Sequence, residues 1–129
     1  MEKPVWIRQD VVLAIHRRQL AEHGGTEGVR DEGLLASALA RPENLVAYCD
    51  RPPDISALAA ANAFGITRNH PFVDGNKRTA YVVTRLFLVL NGYDIRASAV
   101  EKVIIFEKVG QGKIDQPALA SWLHSHSDK

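Results

Sequence analysis

Residues 54–92 read DISALAAANAFGITRNHPFVDGNKRTAYVVTRLFLVLNG. Two apolar segments of helical length flank a dense polar loop. Asp54 is placed to cap the first, ISALAAANAFGITRN, whose alanines let it approach its neighbours closely. The second runs from about Asn76 to Leu90, roughly 22 Å at 1.5 Å per residue. It is apolar almost all round, which predicts the central buried helix of the fold. Asn91-Gly92 ends it. The polar loop therefore sits at the start of a helix that the chain buries.

Working outward, the pattern stays helical. From about residue 10 to 23, Val11, Val12, Ile15 and Gln19-Leu20 share one side, with His16, Arg17 and Arg18 largely on another. Asp10 is the expected cap and Gly24-Gly25 the stop. Asp31 can cap DEGLLASALAR, and Pro42 is expected to end that helix. Residues 41–54, with three prolines, read as the longest loop, with a short extended piece near Leu45–Tyr48. Beyond the central helix, one helix is expected from about Ser98 to Val109, stopped by Gly110. Another starts at Asp115 and carries Pro117 in its first turn. The tail SHSDK is expected to fray. No alternating strand pair and no repeat is visible. The expectation is an all-α domain of about six helices, a single domain over 1–129.

Composition narrows the function. The chain has 16 basic and 15 acidic side chains, a net charge of +1, which argues against direct nucleic-acid binding. Its longest apolar stretch is too short and too polar to span a bilayer, and the N-terminus lacks an apolar signal core. The one cysteine, Cys49, has no partner for an internal disulfide and reads as an incidental thiol. A cytoplasmic protein is expected. The histidines show no zinc-ligand spacing.

The loop carries the chemistry. A helix N-terminus leaves backbone N–H groups free and a partial positive charge, so it stabilises a phosphate. Gly75 lets the backbone approach a ligand. Asn76, Lys77 and Arg78 add donors and two positive charges, which sit against the helix dipole unless an anion is bound. Asp74, the loop's only carboxylate, can hold magnesium beside phosphates. His70 can accept a proton near neutral pH. Base, metal ligand and phosphate cradle are the parts of phosphoryl or nucleotidyl transfer. The same residues also admit a structural reading, with His70 and Asp74 as caps and Lys77 and Arg78 as a solvated face.

HPFVDGNKRTA resembles the central motif of the Fic/Doc superfamily, H-P-F-x-[DE]-G-N-[GK]-R. Every specified position is matched, by His70, Pro71, Phe72, Asp74, Gly75, Asn76, Lys77 and Arg78. GVRDEGLLASALARPENLVAY is similar to the upstream segment of the death-on-curing (Doc) toxins, and FLVLNGYDI to the end of their central helix. The resemblance covers about residues 12–110. It implies a compact helical Fic fold and transfer from a nucleotide, ATP with Mg²⁺, to a protein hydroxyl. Most Fic enzymes transfer AMP. Here Lys77 stands where most AMP transferases have glycine, and Tyr81 where they have a second arginine. Both departures match the Doc branch, for which the resemblance implies transfer of the γ-phosphate.

Carried over residue by residue, the resemblance makes His70 the base and Asp74 the magnesium ligand. Asn76, Lys77 and Arg78 hold phosphates with the Gly75 backbone. Arg68 corresponds to a Doc arginine and either reaches the same phosphates or forms a structural ion pair. Arg85 either partly replaces the missing arginine or is buried or ion-paired. The 41–54 loop is expected where Fic proteins dock their target segment. The family further implies a toxin of a type II toxin–antitoxin pair. Its partners are a Phd-type antitoxin and a phosphorylated target, elongation factor Tu, with translation arrest as the result. An AMP transferase of ordinary Fic type and a non-catalytic antitoxin-binding or regulatory domain stand as alternatives.

Overall fold

The computed structural model describes residues 3–129. Among them six helices run in the order α1 (Gln9–His23), α2 (Glu32–Tyr48), α3 (Ile55–Asn69), α4 (Asn76–Leu90), α5 (Ala99–Gly110) and α6 (Gln116–Ser125). The starts are chemically marked. Asp31, Asp54 and Asp115 accept the N–H of Leu34, Ala57 and Ala118 at 2.9, 2.8 and 2.9 Å. Ser98 and Glu101 form a reciprocal capping box on α5. α1 departs from expectation: it begins after Arg8 with no side-chain cap. Asp10 lies in its first turn instead, paired with Arg8 at 2.8 Å and accepting the Val11 N–H at 3.0 Å.

Pro42 does not end α2. An interior proline removes one backbone bond, but here the ring is buried and the helix runs on to Tyr48. The expected 41–54 loop shrinks to residues 49–54, and the extended piece near Leu45–Tyr48 is helical. Arg41, in that helical run, donates to Gln116 of α6 at 2.8 Å.

α3, rather than α4, is the helix buried all round. Every residue from Leu58 to Thr67 is buried, against α2, α4 and α6. Its small residues permit this: a Cβ on Gly65 would lie 2.6 Å from the Ala38 carbonyl oxygen of α2. α4 buries one face, Asn76, Thr79, Ala80, Val83, Thr84, Phe87 and Leu88, and leaves Lys77, Arg78, Arg85 and Val89 exposed. Phe64, Phe87, Phe106, Leu119 and Leu123 join α3 to α6 in one part of the core. Val12, Leu35, Ile66, Phe72, Ala80 and Val83 form the other, so the motif's Phe72 is a core residue.

The tail is held rather than frayed. Two short strands, β1 (Asp94–Ile95) and β2 (Ser127–Asp128), pair antiparallel. The His126 ring stacks on Trp122 with centroids 4.2 Å apart. No helix among the described residues is long and apolar enough to cross a membrane.

Candidate active site at the start of α4

The polar loop, residues 70–75, joins α3 to α4, and the connection between α1 and α2 braces it. His70 caps α3 in the left-handed region, φ 48° and ψ 56°, with its N–H on the Ile66 carbonyl at 3.2 Å. That conformation is uncommon outside glycine, although histidine is among the residues that tolerate it. Arg30 holds it: Nε donates to the His70 carbonyl at 2.8 Å and Nη2 to the Asn69 carbonyl at 2.9 Å. The backbone continues the brace. The N–H groups of Arg30 and Asp31 donate to the Pro71 carbonyl at 2.7 and 3.2 Å, and Val73 N–H donates to Gly28 at 3.0 Å.

Two buried polar side chains fix the loop from inside. Asn76 accepts the Phe72 N–H on Oδ1 at 3.0 Å and donates from Nδ2 to the Phe72 carbonyl at 2.9 Å. Its Nδ2 also lies 3.4 Å from His70 Nδ1. His16 of α1 stacks flat on Phe72, with centroids 3.8 Å apart, and Nε2 meets the Asp74 carbonyl oxygen at 2.8 Å. Gly75 has φ 76°, a left-handed conformation that favours glycine, while a Cβ there would make only ordinary contact with the His16 ring at 3.7 Å.

Around this frame the candidate side chains separate. His70, Asn76 and Lys77 line a cavity of about 240 Å³ with Thr67, Glu107, Gly110 and Gln111. The Lys77 ammonium pairs with the Glu107 carboxylate of α5 across it. The first backbone bond of α4 is Thr79 N–H to Gly75 at 3.1 Å. The N–H groups of residues 76–78 therefore have no acceptor within the helix. Arg78 is exposed and lines a neighbouring groove of about 670 Å³, which shares Lys77 and Glu107 with the cavity. Arg68 is exposed beside the turn after α5; a Cβ on Gly112 would lie 3.1 Å from its Nη1.

Asp74 faces the other way, toward the α1–α2 connection. Oδ1 accepts the Gly75 N–H at 3.0 Å and Oδ2 the Thr26 N–H at 3.3 Å. Each oxygen retains a lone pair for a cation. No three His, Cys, Asp or Glu side chains gather as a metal site among the described residues. To share a magnesium ion with phosphates at the His70 and Lys77 cavity, whose lining does not include it, the Asp74 carboxylate would have to turn away from the Thr26 N–H.

Arg85 is ion-paired. Its Nε and Nη2 both meet Asp94 at 3.1 Å, and this hydrogen-bonded guanidinium holds the Asp94 carboxyl below the usual range. It does not stand in for a second phosphate arginine. Tyr81 packs edge-on against Phe106 at 5.1 Å.

Sequence reasoning missed four residues here. Polarity alone sets His16 with the arginines, yet Val12, His16 and Leu20 are spaced by four and share the buried stripe. Arg30 and Glu107 act across elements far apart in sequence, and Thr67 lies in a helix read only as packing. No local pattern marks them.

The Fic/DOC family model matches residues 6–88. The chain is 46% identical over 74 residues to Toxin Doc of Mycolicibacterium smegmatis (strain ATCC 700084 / mc(2)155), covering 57% of each chain. It is 32% identical over 89 residues to Protein kinase doc of Escherichia phage P1, covering 69% of this chain and 70% of that one. The matched region thus spans a little over half the length of the first relative and about seven tenths of the second. With the motif loop, its brace and the helical fold, these matches place the chain in the Fic/DOC family.

Proposed function

We propose that this protein is the toxin of a type II toxin–antitoxin pair and transfers the γ-phosphate of ATP to a protein hydroxyl. The proposed acceptor is elongation factor Tu, with translation arrest in the cytoplasm as the outcome, and the proposed partner is a Phd-type antitoxin. One observation carries the reading: Lys77, where most AMP-transferring Fic enzymes have glycine, lines the same cavity as His70. A lysine there narrows the space beside the proposed base and sets a cation at it. The names of the two relatives, Toxin Doc and Protein kinase doc, support the same class.

ATP supplies the phosphoryl group, and magnesium on Asp74 would offset phosphate charge. The protein's own groups do the rest. His70 takes the proton of the acceptor hydroxyl on its ring, a contribution typically worth about 10²- to 10⁴-fold. The open N–H groups at residues 76–78, with Lys77 and Arg78, stabilise negative charge at the helix start. In this geometry Asn76 contributes by pinning the loop, since its side chain is turned onto Phe72. Arg68 lies against Gly112 in the turn after α5 and is not among the residues that line the cavity.

The test is a labelling comparison in a bacterial lysate. Label from γ-labelled ATP should enter a protein, label from α-labelled ATP should not, and His70→Ala should abolish transfer. Incorporation of α-label would assign the chain to AMP transfer. A His70→Ala variant as toxic on expression as the parent would make it a non-catalytic binding domain.

A further inference from the structure

The cavity at His70, about 240 Å³, is smaller than the roughly 300–1,000 Å³ of most small-molecule sites, so it has room for a phosphate group rather than a whole nucleotide. It shares Lys77 and Glu107 with the groove of about 670 Å³ beside it. From that shared pair the groove follows two helices. On α4, Tyr81 and Val82 stand four residues beyond Lys77 and Arg78. On α5, Val103 stands four residues before Glu107, so each lies about one turn further along the same face. Over that turn the lining changes from charged to apolar. Tyr81 is partly buried, edge-on to the buried Phe106, and Val103 is 61% exposed. Covering this floor would remove apolar surface from water.

We infer that this groove holds the nucleoside of the bound nucleotide, with Tyr81 and Val103 against base and ribose and the phosphates running past Arg78 and Lys77 into the His70 cavity. The charges agree. The groove's two carboxylates are both paired, Glu107 with Lys77 and Glu22 with Arg18. Arg78 and Lys102 make no ion pair among the described residues, so the groove is net positive and suits an anionic ligand with a flat apolar part. Aromatic rings take the face of any base, so Tyr81 is the residue on which nucleoside affinity should depend most. The inference rests on the phosphate-site reading above and not on which group is finally transferred.

The test compares two probes on the intact protein by calorimetry, the β,γ-imido analogue of ATP and inorganic triphosphate, both with magnesium. NMR then maps the analogue by NOEs from its adenine protons. The analogue should bind more tightly than triphosphate, with NOEs from adenine to the methyl groups of Val82 and Val103. Tyr81→Ala should lose about tenfold in affinity for the analogue, within the range for base–aromatic contact, and keep the parent affinity for triphosphate. Tyr81 also packs on Phe106, so Val103→Asn, at an exposed position, repeats the comparison without disturbing the core. It should weaken the analogue severalfold and leave triphosphate unchanged. Equal affinity of the parent for both probes would overturn the inference. So would adenine NOEs that miss Val82 and Val103, which would leave the groove to a polypeptide partner. Failure of triphosphate to bind, with those NOEs still present, would sink the phosphate site and leave the nucleoside groove standing.

Discussion

Arg30 donates from one guanidinium to the carbonyls of both His70 and Asn69, at 2.8 and 2.9 Å. A single planar group from the α1–α2 connection thus sets the left-handed turn from which the proposed base projects. Arg30→Ala should lower kcat by about 10²-fold, the scale of a misplaced catalytic group, with little change in KM for ATP. Arg30→Lys should not restore it, because an ammonium lacks the fork that spans two carbonyls. Steady-state phosphorylation kinetics distinguish this from loss of nucleotide binding, which would raise KM.

Asn76→Ala leaves the buried N–H and carbonyl of Phe72 without partners. Each such group costs about 1–3 kcal/mol, so a large drop in stability is expected on denaturant titration. His16→Ala removes the ring under Phe72 and should cost about 2–4 kcal/mol, in the range of other large-to-small core changes. A near-neutral effect of either substitution would show that the loop is held by its backbone brace alone.

Lys77→Gly carries the specificity argument. It removes a half-exposed ion pair worth about 0–1 kcal/mol and places glycine in a helix, about 0.5–1 kcal/mol more. The folded protein should therefore survive, while γ-phosphate transfer falls at least about tenfold, a change of about 1.4 kcal/mol in the barrier. Unchanged γ-transfer would show that Lys77 does not select the chemistry.

The Arg85–Asp94 pair predicts a small acid-side effect. Because the folded pKa of Asp94 is depressed by the Arg85 hydrogen bond, its contribution is present above the unfolded value and is lost as pH falls through the folded one. The window lies below the ordinary aspartate value of about 3.9. The pair is only partly buried, so the effect should stay within about 1 kcal/mol. Asp94→Asn should flatten this part of a stability–pH curve; an unaltered slope would assign the loss to other carboxylates.

The helices were legible because their signals are local. Asp31, Asp54 and Asp115 each cap where the sequence places them, and α4 starts at Asn76 as its pattern predicts. Pro42 reads as a stop because the pattern cannot show that its ring is buried within a helix that continues to Tyr48. α4 reads as apolar all round because Val83 and Val89 count alike in a pattern, whereas tertiary packing buries Val83 and leaves Val89 exposed. The motif could be read as a phosphate end, but its internal division of labour could not. Asn76 turns inward onto the Phe72 backbone and Asp74 faces Thr26, contacts across the folded loop that no sequence pattern announces.

The most direct measurement is the intact mass of purified elongation factor Tu after incubation with this protein, ATP and magnesium. The account predicts one added phosphate group, absent with His70→Ala. An added AMP, or no modification by a folded and nucleotide-bound protein, would contradict it.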